Sequence, residues 1–255
     1  MVMKNTELVF GIHTVKMLLH QTPERVLELY VQKGRADANF QGLIQVAVEQ
    51  DIAITELERH KLDALATGQN HQGIVAKTRQ AGKQYSEADL EKLLNNLREP
   101  AFLLILDGVQ DPHNLGACLR SANAAGVHIV LAPQDKSVGL TPVARKIACG
   151  AAEVTPFIQV TNLARTLRYL KERGIWLFGT ADDADANLYE ADLKGAIAIV
   201  LGAEGKGLRR LTKELCDYII AIPMAGSVSS LNVSVATGVC LYEAVRQRMT
   251  PTAKK

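Results

Sequence analysis

Residues 223–238 read PMAGSVSSLNVSVATG, and they join an apolar run, 218–222, to a helical pattern. The apolar run is typical of a buried strand. In the helical pattern, apolar side chains recur every three or four residues (Leu231, Val235, Val239, Tyr242). The first turn of a helix leaves backbone N–H groups unpaired, and Ser or Asn side chains can cap them or face a ligand. The segment therefore predicts either a well-capped helix or a ligand-binding loop.

A second polar segment follows another apolar run. Residues 102–106 are continuously apolar, which is typical of a strand covered on both faces, and residues 107–120 after them read DGVQDPHNLGACLR. We expect Asn114 to cap a helix there. Arg120 should project from the same helix nearly two turns later, because small residues around it favour close packing. The alternative is a surface arginine without a special role.

A third segment is rich in glycine. Residues 202–210 read GAEGKGLRR and follow the apolar run 197–201, so they form a turn between a strand and a helix. The spacing matches neither a phosphate loop nor a dinucleotide-binding turn. Glycine nevertheless permits close backbone approach to a ligand. We expect a side chain at Gly202 to crowd a bound ligand while leaving the fold intact.

The order of elements predicts an α/β fold with a parallel sheet. Helical patterns separate similar apolar runs (102–106, 127–131, 175–180, 197–201, 218–222). Ligands of such sheets bind at the carboxyl ends of the strands, which is where all three polar segments lie.

The chain before Pro100 predicts a small α/β module, 1–80, and a linker, 81–99. The module should contain three helices and three strands (helices 8–19, 39–50, 56–66; strands 26–31, 52–55, 74–78). The linker carries a polar helix, 87–97, that we assign to neither core. The main domain then spans 100–248 and a basic tail 249–255. His71-Gln72-Gly73 is interpreted as a plain turn rather than a substrate contact.

Composition argues against several classes of function. The 255 residues are 47% hydrophobic and 22% charged, which suits two folded domains. With a net charge of +2, a nucleic-acid partner would have to be held by local basic patches. The N-terminus lacks a signal-peptide pattern and no run of about 18 apolar residues occurs, so we expect a cytoplasmic protein without membrane contact. The separated cysteines predict reduced core thiols and no metal site (Cys118, Cys149, Cys216, Cys240).

In this order, the three polar segments resemble the three motifs of the SpoU (TrmH-type) family of RNA ribose 2′-O-methyltransferases, part of the SPOUT class. The resemblance covers 100–248 and is closest to members that methylate a guanosine of 23S rRNA during ribosome biogenesis. The module 1–80 resembles the L30e-like substrate-binding domain of some members. The resemblance implies a C-terminal trefoil knot, a homodimer and S-adenosyl-L-methionine as cofactor.

The resemblance also implies roles for particular residues. Five belong to the catalytic constellation (Arg120, Asn114, Glu204, Ser230, Asn232). Nine surround the cofactor (Thr180, Gly202, Ala203, Glu204, Gly205, Ile222, Met224, Ser230, Leu231). Arg120 would activate the ribose hydroxyl as a base or fix a substrate phosphate; we favour the second, because arginine is hardly ever deprotonated in proteins, with Asn114 orienting it. In the module, Lys33, Arg35 and Lys77 are candidate phosphate contacts.

Two other classes of function remain as alternatives. A non-catalytic RNA-binding or ribosome-assembly protein could keep the same fold, and methyl incorporation into RNA would distinguish it from an enzyme. A small-molecule enzyme with a dinucleotide cofactor is disfavoured, because the glycine-rich turn comes late and lacks the acidic ribose-binding residue.

Overall fold

The structure, a computed structural model, describes residues 6–35, 37–79, 85–184 and 186–249. Backbone contacts divide the chain into two units, Met1–Gln84 and Tyr85–Lys255. The boundary between the two units therefore lies close to residue 80, the predicted end of the N-terminal module.

The N-terminal unit is a four-stranded sheet with helices. Its strands are β1 (Thr6–Phe10), β2 (Val26–Gln32), β3 (Ala53–Leu57) and β4 (Ile74–Arg79). Its helices are α1 (Ile12–Gln21), α2 (Ala38–Glu49) and α3 (Arg59–Ala66), with a short 3₁₀ turn at Pro23–Arg25. The strand order is β1-β4-β2-β3; β2 and β3 are parallel and the other pairs antiparallel. The prediction that the first helix begins at residue 8 is wrong. The helix begins at Ile12, because residues 6–10 form β1, which pairs with β4, before the chain turns at Gly11 (φ 93°).

The second unit contains a seven-stranded sheet. Its strands are β5 (Phe102–Asp107), β6 (Ile129–Pro133), β7 (Phe157–Val160), β8 (Trp176–Thr180), β9 (Ala186–Asn187), β10 (Ile197–Gly202) and β11 (Tyr218–Ala221). The order is β7-β6-β5-β10-β8-β11-β9, and every neighbouring pair is parallel. The predicted parallel α/β sheet is confirmed. The sequence did not predict β7 or the two-residue β9.

Helices cover both faces of this sheet. They are α4 (Leu90–Asn95), α5 (Pro112–Ala124), α6 (Pro142–Ile147), α7 (Ala151–Val154), α8 (Leu163–Glu172), α9 (Arg210–Leu215) and α10 (Val233–Met249), with 3₁₀ turns at Glu87–Asp89 and Leu188–Glu190. Side chains from α5 and α10 share one core with alternate residues of β5, and α8 shares the other. Gly116 is needed in α5, because a Cβ there would lie 2.5 Å from the carbonyl oxygen of Ala144.

Helix α4 corrects the predicted linker. Its Leu90 and Leu94 are buried in the same core as α8, so the helix belongs to the second unit. The side chain of Glu87 also accepts hydrogen bonds from the backbone N–H and the hydroxyl of Thr161. The prediction that this helix belongs to neither core is wrong, because its apolar residues, four apart, supply a buried face that the polar composition obscured.

Helix α10 begins two residues after Leu231 and buries a different face from the one predicted. Val235 and Tyr242 are 51% and 52% exposed. The buried face combines Leu241 with several smaller side chains (Val233, Thr237, Cys240, Ala244). Small residues allow α10 to approach α5 closely, and Thr237 satisfies its hydroxyl by donating to the carbonyl of Val233 at 2.7 Å. The trefoil knot stays a prediction, because strand order alone does not test it.

Candidate active site

A cleft of about 470 Å³ opens at the carboxyl ends of β8, β10 and β11. Three loops line it, after Thr180, after Leu201 and around 222–233, which agrees with the expected place of a ligand in a parallel sheet. Every residue predicted to surround a cofactor lines this cleft (Thr180, Gly202, Ala203, Glu204, Gly205, Ile222, Met224, Ser230, Leu231). The structure thus brings together residues that lie as much as 51 positions apart in the chain.

The glycine-rich loop after β10 folds back on itself. Ala203 and Gly207 exchange two backbone hydrogen bonds, of 3.1 and 2.9 Å. A Cβ at Gly202 would lie 2.0 Å from the carbonyl carbon of Gly207 and 2.3 Å from the amide nitrogen of Leu208. The expectation that a side chain at Gly202 would spare the fold is therefore wrong for the loop itself. Glycine is required first by the turn, before any ligand is considered.

A chain of polar side chains joins the three sequence segments. The backbone N–H and the hydroxyl of Ser234 donate to Oδ1 of Asn232, at 2.9 and 2.6 Å. Nδ2 of Asn232 donates to Oδ1 of Asn114 at 3.0 Å, and Nδ2 of Asn114 donates to Oε2 of Glu204 at 3.3 Å. Each amide thus has its direction fixed by the next group in the chain. Glu204 is the terminal acceptor, and it lies at the cleft.

Two predicted roles of Asn114 are corrected by these contacts. Asp111 caps α5 instead, since its carboxylate accepts from the backbone N–H of His113 at 2.9 Å. Among the hydrogen bonds of the described residues, none joins Asn114 to Arg120. Asn114 instead links Glu204 to Asn232, because it lies in the first turn of α5, facing those loops.

Arg120 lies apart from the chain of amides. It is exposed near the end of α5, and its Nη1 lies 3.6 Å from Sγ of Cys149, a weak contact. The cleft-lining residues do not include Arg120, Asn114 or Asn232, whereas Glu204 and Ser230 belong to both predicted sets and do line it. Two of the five predicted catalytic residues therefore line the cleft, two are linked to it by hydrogen bonds, and Arg120 is neither.

Asp107 lies beside the start of the glycine-rich loop, and the sequence patterns assigned it no role. It ends β5 and is 1% exposed. Its Oδ2 accepts from the backbone N–H of Arg209 at 3.0 Å and its Oδ1 from Nε of Arg209 at 2.6 Å. The available signal was an acidic residue that closes an apolar strand, together with an arginine just after the glycine-rich turn.

The N-terminal candidates differ in availability. Arg35 donates to Asp37 at 2.6 Å and to the carbonyl of Gln72, and its guanidinium lies over the ring of Phe40, so it holds its own turn together. Lys33 is well exposed beside Glu58, with 3.7 Å between charged atoms. His71 is buried. Its Nε2 lies 2.9 Å from Asp63 and its Nδ1 accepts from the backbone N–H of Gly73, which agrees with the interpretation as a turn residue.

Burial raises the pKa of three cysteine thiols, to about 11 for Cys118 and about 12 for Cys216 and Cys240. These residues are thus packing thiols. Within the described ranges, no group of three or more His, Cys, Asp or Glu side chains could hold a metal ion. None of the helices described is both long and apolar enough to span a bilayer.

Comparisons of sequence and of structure both find RNA 2′-O-methyltransferases. The chain is 58% identical over 246 residues to the 23S rRNA (guanosine-2′-O-)-methyltransferase RlmB of Shewanella oneidensis, covering 96% of this chain and 99% of that protein. It is 56% identical over 243 residues to the same enzyme of Escherichia coli K12, covering 95% and 99%. A solved RNA 2′-O ribose methyltransferase has a TM-score of 0.78 at 28% identity, covering 97% of this chain and 90% of the other.

A more distant structure shares the fold. The SpoU methyltransferase AviRb of Streptomyces viridochromogenes, solved with AdoMet, has a TM-score of 0.74 at 24% identity, covering 96% of this chain and 91% of that one. The family profile described as RNA 2′-O ribose methyltransferase substrate binding matches residues 8–84. The profile of the SpoU rRNA Methylase family matches residues 101–242, which are more than half of the chain and contain all three polar segments and the cleft. The chain therefore belongs to the SpoU rRNA methylase family.

Proposed function

We propose that this protein transfers a methyl group from S-adenosyl-L-methionine to the ribose 2′-hydroxyl of a guanosine in 23S rRNA, in the cytoplasm during ribosome biogenesis. The supporting relatives, at 56–58% identity over nearly their whole length, carry that activity in their names. The observation that carries the proposal is the series of hydrogen bonds from Ser234 through Asn232 and Asn114 to Glu204, which joins the three family segments at one cleft.

The cleft suits the proposed cofactor in size and in chemistry. Its volume of about 470 Å³ lies within the usual range of small-molecule sites, roughly 300–1,000 Å³. Residues of the loops after Leu201 and Ile222 line it, and the glycines among them let a ligand approach the backbone closely. The carboxylates of Asp182, Asp183 and Glu204 can accept from amino and hydroxyl groups. When bound, S-adenosyl-L-methionine supplies a methyl group on a positively charged sulfur.

The residues around the cleft must then orient the ribose, because its hydroxyl is too weak an acid to ionise unaided at neutral pH. We assign Arg120 to a substrate phosphate, because it is exposed and its guanidinium presents a planar fork of donors that matches a phosphate. We assign Asn114 and Asn232 to holding the loops of the cleft at a fixed separation. Ser230, at the cleft, can donate to or accept from the substrate.

A single-turnover assay tests the assignment of Arg120. Arg120→Ala should cut methylation by about 100-fold or more at saturating cofactor, since misplacement by about 1 Å can cost that much. Arg120→Lys should recover little, because lysine lacks the planar fork. Cofactor affinity and thermal stability should stay unchanged. Arg168→Ala is the matched control, since Arg168 is an exposed arginine on α8, a helix of the opposite face.

Methylation by Arg120→Ala at the wild-type rate would reject the assignment. Absence of methyl incorporation by the wild-type protein, with RNA binding retained, would instead favour the non-catalytic RNA-binding alternative. Fragments of 23S rRNA and assembling ribosomal particles should be compared as substrates, since both contain the target.

We propose that the N-terminal unit supplies RNA affinity and no catalytic group, as expected of an L30e-like domain. Because α4 packs on the second unit, a truncated protein should begin at Tyr85 rather than near residue 99. It should bind S-adenosyl-L-methionine as the full chain does and RNA poorly. In the full chain, Lys33→Ala should weaken RNA binding more than Arg35→Lys, because Arg35 is engaged internally. Full RNA affinity of the truncated protein would reject this role.

We propose a homodimer that uses the exposed side of α10. Val235, Tyr242 and Met249 lie seven residues apart and are 51%, 52% and 78% exposed. This spacing places them along one stripe of the helix, as at a helix-packing seam. Light scattering should give twice the chain mass, and Tyr242→Asp should lower it. A monomeric wild-type protein would contradict the proposal.

A further inference from the structure

Asp107 is a buried carboxylate that the proposed reaction does not use. Its side chain is 0% exposed at the end of β5, one of the central strands. A buried charge is costly unless it is paired and hydrogen-bonded. Both of its oxygens are engaged, and both partners belong to one residue, Arg209. The pair therefore joins β5 to the residue just before α9.

Asp107 lies next to both ends of the glycine-rich loop. Asp107 pairs in register with Gly202, the last residue of β10, where the loop leaves the sheet. Arg209 ends the loop and is the N-cap residue of α9. Between these points, the backbone pair of Ala203 and Gly207 closes the loop internally. The loop thus leaves the sheet beside Asp107 and returns to its carboxylate.

The loop residues between these points line the cleft, and Asp107 itself does not. The Cα of Gly108 also lies close to the loop, since a Cβ there would be 3.7 Å from Cβ of Ala203. Asp107 therefore acts on a ligand without touching it, and its contacts lead to the ligand through the loop.

We infer that Asp107 is a positioning residue, which fixes the glycine-rich loop in its cofactor-binding shape through Arg209. The inference rests on the proposed function, in that the cleft holds S-adenosyl-L-methionine. Without the ion pair, the loop would keep its internal turn and lose the charged contact at its far end, leaving one backbone hydrogen bond there. Part of the binding free energy would then be spent on ordering the loop, so affinity would fall.

Calorimetric titration with S-adenosyl-L-methionine tests the inference. Asp107→Asn keeps the volume and one oxygen acceptor but removes the charge, and the Kd should rise by about tenfold or more. The KM for the cofactor should rise similarly, while kcat at saturating cofactor should change little. Arg209→Ala should give a comparable loss. The double variant should lose no more than the larger single loss, because both changes remove the same ion pair.

Asp217→Asn is the matched control. Asp217 is a mostly buried carboxylate that accepts from the backbone N–H of Leu177 and pairs with Lys171 at 2.8 Å. It lies just before the amino end of β11, whereas the cleft lies at the carboxyl ends of the strands. Its replacement should lower thermal stability without changing the Kd. Affinity that follows stability equally in both variants would reduce Asp107 to a structural role and overturn the inference.

The outcomes separate this inference from the proposed function. A wild-type protein that does not bind S-adenosyl-L-methionine rejects the proposed function. Binding by the wild-type protein together with an unchanged Kd for Asp107→Asn rejects the inference alone. If Asp107→Asn does not fold, Arg209→Ala decides, because that side chain is 42% exposed and its removal leaves the backbone hydrogen bond to Asp107.

Discussion

Replacing Gly202 by alanine should disable the cleft through the backbone of its own loop. The new Cβ would lie 2.0 Å from the carbonyl carbon of Gly207, whereas ordinary contacts begin at 3.4 Å. The loop must therefore move by more than about 1 Å, because neither partner is a flexible side chain. Overpacking of this kind typically costs about 1–3 kcal/mol, and a displacement of about 1 Å at a functional site can cost on the order of 100-fold.

Calorimetry with S-adenosyl-L-methionine and thermal unfolding should be measured together on Gly202→Ala. We expect a Kd raised by about 100-fold, with a smaller loss of stability, since the clash is confined to the loop and the sheet below it stays paired. Gly226→Ala is the control, because it lies in the next loop and a Cβ there meets nothing within 4 Å. A Gly202→Ala protein with wild-type affinity would show that the loop can relax without cost, and the reasoning would be wrong.

Three further predictions concern parts of the chain away from the cleft. Burial lowers the pKa of His128, against a smaller opposing effect of Glu99, so the stability that the neutral ring contributes is complete above about pH 6.5 and is lost as the pH falls toward the folded-state pKa. Denaturant unfolding at several pH values should show this loss of stability. His128→Asn should reduce the loss, because asparagine does not titrate and can still accept from the N–H of Phe102. Gly42→Ala in the exposed face of α2 should stabilise the N-terminal unit by up to about 1 kcal/mol in denaturant unfolding, because alanine favours helix and meets no neighbour. Alkylation followed by mass spectrometry should label Cys149 before the three thiols whose pKa is raised; early labelling of Cys118 in the folded protein would contradict this.

The parallel sheet was predictable because its central strands are continuous apolar runs. Phe102–Asp107 and Ile197–Gly202 are buried on both faces, so their composition alone identifies them. Strand β7 has only four residues, one of them the polar Gln159, and gives a weak pattern. The linker helix was misassigned because its few apolar residues are hidden among charged ones, although Leu90 and Leu94 are both buried.

The lining of the cleft was predictable as a set, whereas the contacts of individual side chains were not. The motifs place Gly202, Met224 and Ser230 on loops at the carboxyl ends of the strands, and the parallel sheet brings those loops together around the cleft. The family resemblance assigned Asn114 to orienting Arg120, but its hydrogen-bond partners lie 90 and 118 residues away in the sequence. Such contacts depend on how separate elements dock, which no local pattern encodes.

The long separations between these partners bear on the order of folding. Glu204 meets Asn114 across 90 residues, Arg209 meets Asp107 across 102, and Asn232 meets Asn114 across 118. Contacts this distant in sequence form slowly, because large loops must close before any of them is made. We therefore expect the cleft to be completed only when α10 docks, late in folding. A ligand of the cleft recognises only that final state, so it should slow unfolding while leaving the early steps of folding unaffected.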